Sequence, residues 1–238
     1  MCWSTTASIV MVGVGAAATL VTARRGDPAA VWGTIGYFTL MEGLQAAGYG
    51  VVDQCGSPAN RALTQLSYLH IALQPIMINA FCMAIAPNPV SARMRRWVYA
   101  LAAVASVLLM LRLVPLDWAG ECRPGDVMCG AAWCLISGDW HIGWEVPLNN
   151  LWSALDIFSI QLQFPPYLAS VFLLPLAYGC WRFVVFHAMA GPMLATMLTS
   201  NPNEMPAIWC MFSVGVLLIG LSPAIRTRVF GAHRRALA

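Results

Sequence analysis

The chain contains no lysine, and its 13 basic residues are all arginines. A retinal protein of the rhodopsin type holds its chromophore as a lysine Schiff base, so this class of protein is excluded. Charged residues are also scarce, at 10% of the chain, against about 25% in a typical soluble domain. The net charge of +3 is too small to indicate nucleic-acid binding, and we expect no nucleic-acid partner.

Apolar residues, in contrast, are abundant. Hydrophobic residues make up 59% of the sequence and the mean hydropathy is +0.68. A helix of about 20 apolar residues crosses the hydrocarbon core of a bilayer, and several stretches meet or approach that length. We therefore predict an all-α integral membrane protein, a single domain over residues 1–238 with seven transmembrane helices. The predicted spans are 4–23, 30–52, 62–86, 97–115, 165–183, 185–200 and 206–223.

The arginines indicate the orientation of these spans. Ten of the 13 lie in the predicted connections and tail on one side, whereas eight of the ten acidic residues lie on the other. The positive-inside rule then places the N-terminus outside and the C-terminus in the cytoplasm, with the chain in the plasma membrane. A single helix over 165–200 would turn the basic tail outward, so seven spans are favoured over six. The longest connection, about 116–164, becomes an external Cys-rich loop.

Five of the eight cysteines fall on the predicted outer side: Cys2, Cys55, Cys122, Cys129 and Cys134. Because the medium there is oxidising, disulfides are permitted. We predict one bridge within the long loop and one that joins Cys55 to it. The sequence has no CxxC, which disfavours a redox relay. A zinc site formed by the loop cysteines and His141 stays open, although their spacing matches no standard finger.

Two predicted spans carry polar residues in otherwise apolar runs. The segment "GYFTLMEGLQAAGYG" contains Glu42 and Gln45, and "LSYLHIALQPIMIN" contains His70 in a polar stripe. Both Glu42 and His70 are predicted to lie roughly 12–15 Å below the outer surface. Ionisable residues at such depths usually face the bundle interior. We therefore predict a polar pocket in the outer half of the bilayer with Glu42 and His70 as catalytic residues. Further residues predicted to line it are Gln45, Ser67, Gln74 and Asn79.

The external loop is predicted to cap this pocket. Its candidate capping residues are Trp140, His141, Trp144 and Glu145, and Glu204 of the short loop "TSNPNEMP" is expected to reach the rim. Glu42, His70 and His141 together offer three ligands to zinc or iron, leaving an open position for water or substrate. His187 is expected to be structural, because it lies near the inner side and far in depth from His70.

Several motifs together resemble an uncharacterised family of multi-pass membrane proteins. These are "MCWS", "GYFTLMEGLQ", "SYLHIALQP", "DWHIGW" and "NPNEMPAIWC", which are distributed over nearly the whole chain. The resemblance implies that Glu42, His70, His141 and Glu204 occupy motif positions, but it implies no activity. Ceramidase-like membrane hydrolases are similar in having seven spans and an intramembrane histidine, yet their HxxxH pair in the last span is absent here.

Three functions are compatible with this pattern. The first is a metal-dependent membrane enzyme that hydrolyses or oxidises a lipid-soluble or extracytoplasmic substrate. The second is a transporter or ligand-binding membrane protein. The third is a structural or assembly subunit in which Glu42 and His70 only orient helices. In the second, Glu42 would titrate and His70 would relay protons or bind a cationic ligand. The expected partners are the lipid bilayer and a lipid-soluble small molecule.

Overall fold

The computed structural model describes residues 4–152 and 164–230. Four long helices open the chain, and each packs against the next: α1 Thr5–Arg24, α2 Ala29–Gly48, α3 Pro58–Ile85 and α4 Ala92–Leu111. Ser4 caps α1 by accepting a hydrogen bond from the backbone N–H of Ala7. α1 and α2 approach closely at Gly15, where an added Cβ would lie 2.2 Å from Oγ1 of Thr39.

The second half of the chain forms shorter helices. These are α5 Pro165–Ala177, α6 over 181–198, α7 Met205–Leu221 and α8 Pro223–Phe230. Both α5 and α6 contain a π-helical turn, at Ala169–Leu173 and Met189–Met193 respectively. Gly179, with a φ of +86°, reverses the chain between α5 and α6, because glycine adopts this conformation without steric cost. Residues 165–200 therefore form two helices.

The long loop contains a β-hairpin, so the prediction of a purely helical chain is wrong in this segment. Strand β1 (Cys134–Ser137) pairs antiparallel with β2 (Ile142–Glu145). The Asn60 side chain of α3 fixes the hairpin by donating to the carbonyl of Leu135 and accepting from its N–H, both at 2.9 Å. Each strand has only four residues, which is too short for a periodic sequence signal. We call residues 116–152 the cap.

Two disulfides brace the cap, as predicted. Cys55 bonds to Cys134, which ties the α2–α3 connection to the hairpin, and Cys122 bonds to Cys129 within the loop. Cys2, the fifth cysteine expected outside, lies beyond the described residues. The free cysteines of the described part, Cys82, Cys180 and Cys210, are buried within the bundle.

The two ends of the bundle differ in chemistry. At one end Arg25 and Arg226 both bind the Asp27 carboxylate, and both donate to the carbonyl of Gly220. The disulfide-braced cap covers the other end. Of the described helices, α1, α3 and α4 are long and apolar enough to cross a membrane, whereas α5 and α7 are apolar but shorter.

Candidate functional site

A cavity of about 280 Å³ lies under the cap, between α2, α3, α5, α6 and α7. Val127 and Met128 of the cap cover it, and Thr196 of α6 is an exposed residue of its wall. Much of the rest of the wall is aromatic: Phe38, Phe164, Tyr167, Trp209 and Phe212. A small-molecule site commonly has this character, an apolar lining with few polar groups.

The polar groups of the cavity wall form a short chain. The Tyr167 hydroxyl donates to Oε1 of Gln74 at 2.6 Å, and Nε2 of Gln74 contacts Sγ of Cys210 at 3.9 Å. The cavity in this part of the bundle is therefore mainly apolar, whereas a polar pocket was predicted. Among the residues predicted to form it, Gln74 is the member that lines this cavity.

Glu42 lies in a different environment. Its side chain is buried, and it forms a hydrogen bond with Ser8 of α1. Its other oxygen, Oε2, has no hydrogen-bond partner among the described residues. Beside it is a space of about 10 Å³, which Ser213 of α7 also lines. That volume is close to the minimum for one water molecule.

His70 does not meet Glu42. Its Nε2 lies 2.8 Å from the carbonyl oxygen of Tyr37, and its ring stacks on the Tyr37 ring with centroids 3.8 Å apart. Within residues 4–152 and 164–230, its Nδ1 has no partner. Tyr37 precedes Glu42 by five residues, or about 7.5 Å along the helix. The predicted Glu42–His70 pair is therefore not formed. The register of α3 against α2 sets His70 beside Tyr37, further from the cap than Glu42.

The other polar residues of α2 and α3 fall into two groups. Gln45 and Ser67 are buried, and neither side chain has a hydrogen-bond partner in the part of the chain that the structure describes. Asn79 belongs to a separate network, in which it donates to the Ser170 carbonyl at 3.0 Å and accepts from the Tyr178 hydroxyl at 2.8 Å. Asn79 therefore joins α3 to α5 and does not line the cavity.

Glu204 holds the cap onto the α6–α7 loop. Its buried carboxylate accepts from the backbone N–H groups of Asp139, Trp140 and His141, and from the Thr199 hydroxyl at 2.7 Å. These contacts close the turn between β1 and β2. Glu204 was expected at the rim of a pocket. The structure places it instead between the hairpin turn and the α6–α7 loop, and we call its four hydrogen bonds the Glu204 clamp.

The predicted capping residues are mostly part of the cap's own core. Trp144 is fully buried and Glu145 is half-buried, whereas Trp140 is exposed. Nδ1 of His141 accepts from the backbone N–H of Ile142 at 2.8 Å and lies 3.2 Å from the Tyr49 hydroxyl. Burial lowers the pKa of His141 to about 4, although the nearby Glu204 carboxylate opposes this shift. His141 is therefore a neutral structural residue at pH 7.

The predicted metal centre is not assembled. Glu42 bonds to Ser8, His70 to Tyr37, and His141 lies within the cap. Over the described residues, no three or more histidine, cysteine, aspartate or glutamate side chains are grouped so that they could hold a metal ion.

Sequence reasoning missed the residues that shape the cavity wall. Trp209 donates its indole N–H to Nε2 of His187 at 2.9 Å, so His187, expected to be only structural, also supports a residue that lines the cavity. The signal available in the sequence was Gly191-Pro192, which interrupts α6 and marks its π-helical turn. Such turns often occur at functional sites.

Comparisons with known proteins identify a family whose function is unknown. A family model described as a family of unknown function, DUF5765, matches residues 6–230. No curated protein and no solved structure matches the chain.

Proposed function

The chain belongs to the DUF5765 family, whose function is unknown, and we propose that it is a polytopic membrane protein that binds a lipid-soluble small molecule. The ligand occupies the cavity under the cap. The observation that carries this proposal is an apolar, largely aromatic cavity of about 280 Å³ with Gln74 on its wall. A site of this kind suits an apolar molecule with one polar group.

In this proposal α1 to α7 are the seven spans, and the cap lies outside the cytoplasm of the plasma membrane. The arginine end and the disulfide-braced end of the bundle support this orientation, by the positive-inside rule and by the redox state of the two compartments. A C-terminal epitope is then detected only after the membrane is permeabilised. Detection in intact cells would contradict the orientation.

Gln74 supplies the specific contact with the ligand. Its Oε1 is already occupied by the Tyr167 hydroxyl, whereas the one contact of Nε2 with the described residues is the long one with Cys210. A primary amide has two N–H donors, so at least one is available to the ligand. The complementary group is an acceptor, such as a carbonyl oxygen.

The ligand enters from the lipid between α5 and α6. These helices contact each other near the turn at 178–180, where the π-helical turn of α5 meets the first part of α6. Towards the cap, Leu168 of α5 and Thr196 of α6 both line the cavity, and the Thr196 side chain is exposed. This side of the cavity is therefore its mouth.

Photolabelling tests the proposal directly. The full chain in lipid nanodiscs is irradiated with a long-chain ketone that bears a diazirine beside its carbonyl, and the labelled peptides are identified by mass spectrometry. We expect label in the cavity-lining segments of α3, α5 and α7. Thr196→Trp fills the mouth with a bulky side chain and should lower this labelling several-fold, which corresponds to about 1 kcal/mol or more of binding free energy.

The neighbouring residue provides the matched control. Met197 is 80% exposed and does not line the cavity, so Met197→Trp adds the same side chain one position away and should leave labelling unchanged. Label distributed evenly over the lipid-facing helices, or equal labelling in both variants, would refute the proposed site.

A further inference from the structure

The cavity wall contains two perpendicular aromatic pairs. Tyr167 and Trp209 have ring centroids 5.5 Å apart and planes at 88°, and Phe38 and Phe212 have centroids 5.4 Å apart and planes at 89°. All four rings line the cavity. Edge-to-face packing is favourable for the quadrupoles of such rings, so each ring holds the orientation of its partner.

His187 fixes the orientation of Trp209 from behind. The indole N–H is donated to Nε2 of His187, whose ring stacks on Phe212 with centroids 4.2 Å apart and planes at 18°. His187 is fully buried and is not part of the cavity wall. The polar edge of Trp209 therefore points away from the cavity, and the indole presents carbon surface to it.

Gly191 makes this contact possible. An added Cβ at Gly191 would lie 2.4 Å from Nε1 of Trp209, the atom that bonds to His187. The residue lies in the π-helical turn Met189–Met193 of α6. A glycine therefore lies where the Trp209 indole packs against α6 and donates to His187.

We infer that the ligand's head group is a planar, conjugated carbonyl ring of the kind found in membrane quinones. The ring lies against Trp209 and Phe212, and Nε2 of Gln74 donates to one of its carbonyl oxygens. His187 is a positioning residue that acts through Trp209. This inference rests on the proposed function and adds the chemical class of the ligand.

Gln74 on the cavity wall favours a carbonyl ligand over a quaternary ammonium ligand, which aromatic sites also accept. Quaternary ammonium groups bind in aromatic cages, but they have no acceptor for the Gln74 N–H that no described residue accepts. A conjugated carbonyl satisfies both features, because its flat face packs on rings while its oxygen accepts a hydrogen bond.

A matched pair of competitors tests the inference. Decyl-substituted benzoquinone and decyl-substituted cyclohexane-1,4-dione share the tail and both carbonyls, but only the first has a planar conjugated ring. Each is titrated against labelling by the diazirine ketone in the wild-type nanodiscs. We expect the quinone to compete about ten-fold more strongly, as a favourable aromatic stacking contact implies. Equal competition would overturn the inference and leave the proposed function intact, whereas a failure to label the cavity would overturn the proposed function itself.

Two substitutions of His187 separate positioning from simple packing. His187→Leu removes the acceptor for the indole N–H, and we expect the preference for the quinone to fall to about two-fold or less through a mobile Trp209. His187→Gln retains an acceptor oxygen on a side chain of similar reach and should restore the preference. Folding of each variant is checked by its elution profile in detergent. A preference that is unchanged in folded His187→Leu would contradict the role assigned to His187; if that variant does not fold, loss of the preference in His187→Gln would contradict it.

Discussion

One glutamate is buried against the cap and another within the helix bundle, and the two differ in how many hydrogen bonds their carboxylates accept. Glu204 has both carboxylate oxygens occupied, by three backbone N–H groups and the Thr199 hydroxyl. Glu42 has one hydrogen bond, to Ser8, and an oxygen without a partner in the described chain. Glu204 therefore holds two loops together, whereas the hydrogen bond of Glu42 joins α2 to α1.

The difference shows that the partners of a buried carboxyl group, and not its burial, reveal its role. Both glutamates are motif residues in the sequence, and both are candidate site residues there. In the structure neither lines the main cavity. The substitutions below test this contrast, beginning with the largest expected effect.

Glu204→Gln should destabilise the cap strongly. The amide cannot accept from all four donors, and its own N–H₂ group would face backbone N–H groups. Hydrogen bonds to charged groups contribute about 1.5–3 kcal/mol each, so we expect a loss of about 4 kcal/mol and a clearly lower Tm in detergent. Glu145→Gln is the control, since this half-buried cap residue lies on β2 and should change stability by less than about 1 kcal/mol. Equal effects would refute the clamp.

Removal of the Cys55–Cys134 disulfide should have an effect of similar size, a loss of about 4 kcal/mol. It closes a loop with a sequence separation of 79, against 7 for Cys122–Cys129. In the chain-entropy account the longer loop stabilises more, and the difference amounts to about 2 kcal/mol. The paired Cys→Ser variants are compared by thermal unfolding. A larger loss for the Cys122–Cys129 pair would contradict the role of Cys55–Cys134 as the main brace of the cap.

His141 should make the cap sensitive to acid. Its pKa is lowered to about 4 from an ordinary value of 6.5, so between these values the unfolded chain binds a proton that the folded chain does not. Stability is therefore complete above about pH 6.5 and falls towards pH 4, by up to about 1.4 kcal/mol per pH unit.

His141→Asn isolates this contribution. The asparagine oxygen replaces Nδ1 as acceptor for the Ile142 N–H and stays near the Tyr49 hydroxyl, but it does not titrate in this range. The difference between the two stability profiles from pH 7 to pH 4 then reports the contribution of His141. Parallel profiles would contradict the account of a neutral buried imidazole.

Glu42→Gln should have the smallest effect. The amide oxygen can still bond to Ser8, and the atom in the position of Oε2 stays unpaired as before, so we expect a change below about 1 kcal/mol. Labelling of the main cavity should also be unchanged, because Glu42 lies outside its wall. A loss comparable to that of Glu204→Gln would remove the contrast between the two regions.

The helices and disulfides could be predicted because their signals are local. Apolar runs predict α1 to α7 with ends displaced by a few residues, and the grouping of cysteines predicts one bridge within the loop and one from Cys55 to it, without the exact pairs. The hairpin could not be predicted, because it depends on Asn60, a residue 75 positions away from Leu135. Long-range side-chain contacts of this kind leave no periodic pattern.

The site was harder to predict, because the sequence of a uniformly apolar helix does not indicate which of its residues face the interior. Glu42 and His70 were placed at the same depth by counting from helix ends, yet the stacking of His70 on Tyr37 sets a different register. The cavity wall uses Tyr167, Trp209 and Phe212, which resemble ordinary lipid-facing bulk in the sequence. In the structure the Tyr167–Gln74 and Trp209–His187 hydrogen bonds and the stacking of Phe212 on His187 distinguish them.

Two buried glutamines provide the most direct test of the central claim. Gln74 lines the cavity, whereas Gln45 does not, although both are buried on neighbouring helices. The affinity of the diazirine ketone is measured by saturation of photolabelling in Gln74→Leu and Gln45→Leu. The account predicts a loss of about five- to ten-fold for Gln74→Leu, the value of one hydrogen bond, and none for Gln45→Leu. Equal affinities in the two variants, or a loss only in Gln45→Leu, would contradict it.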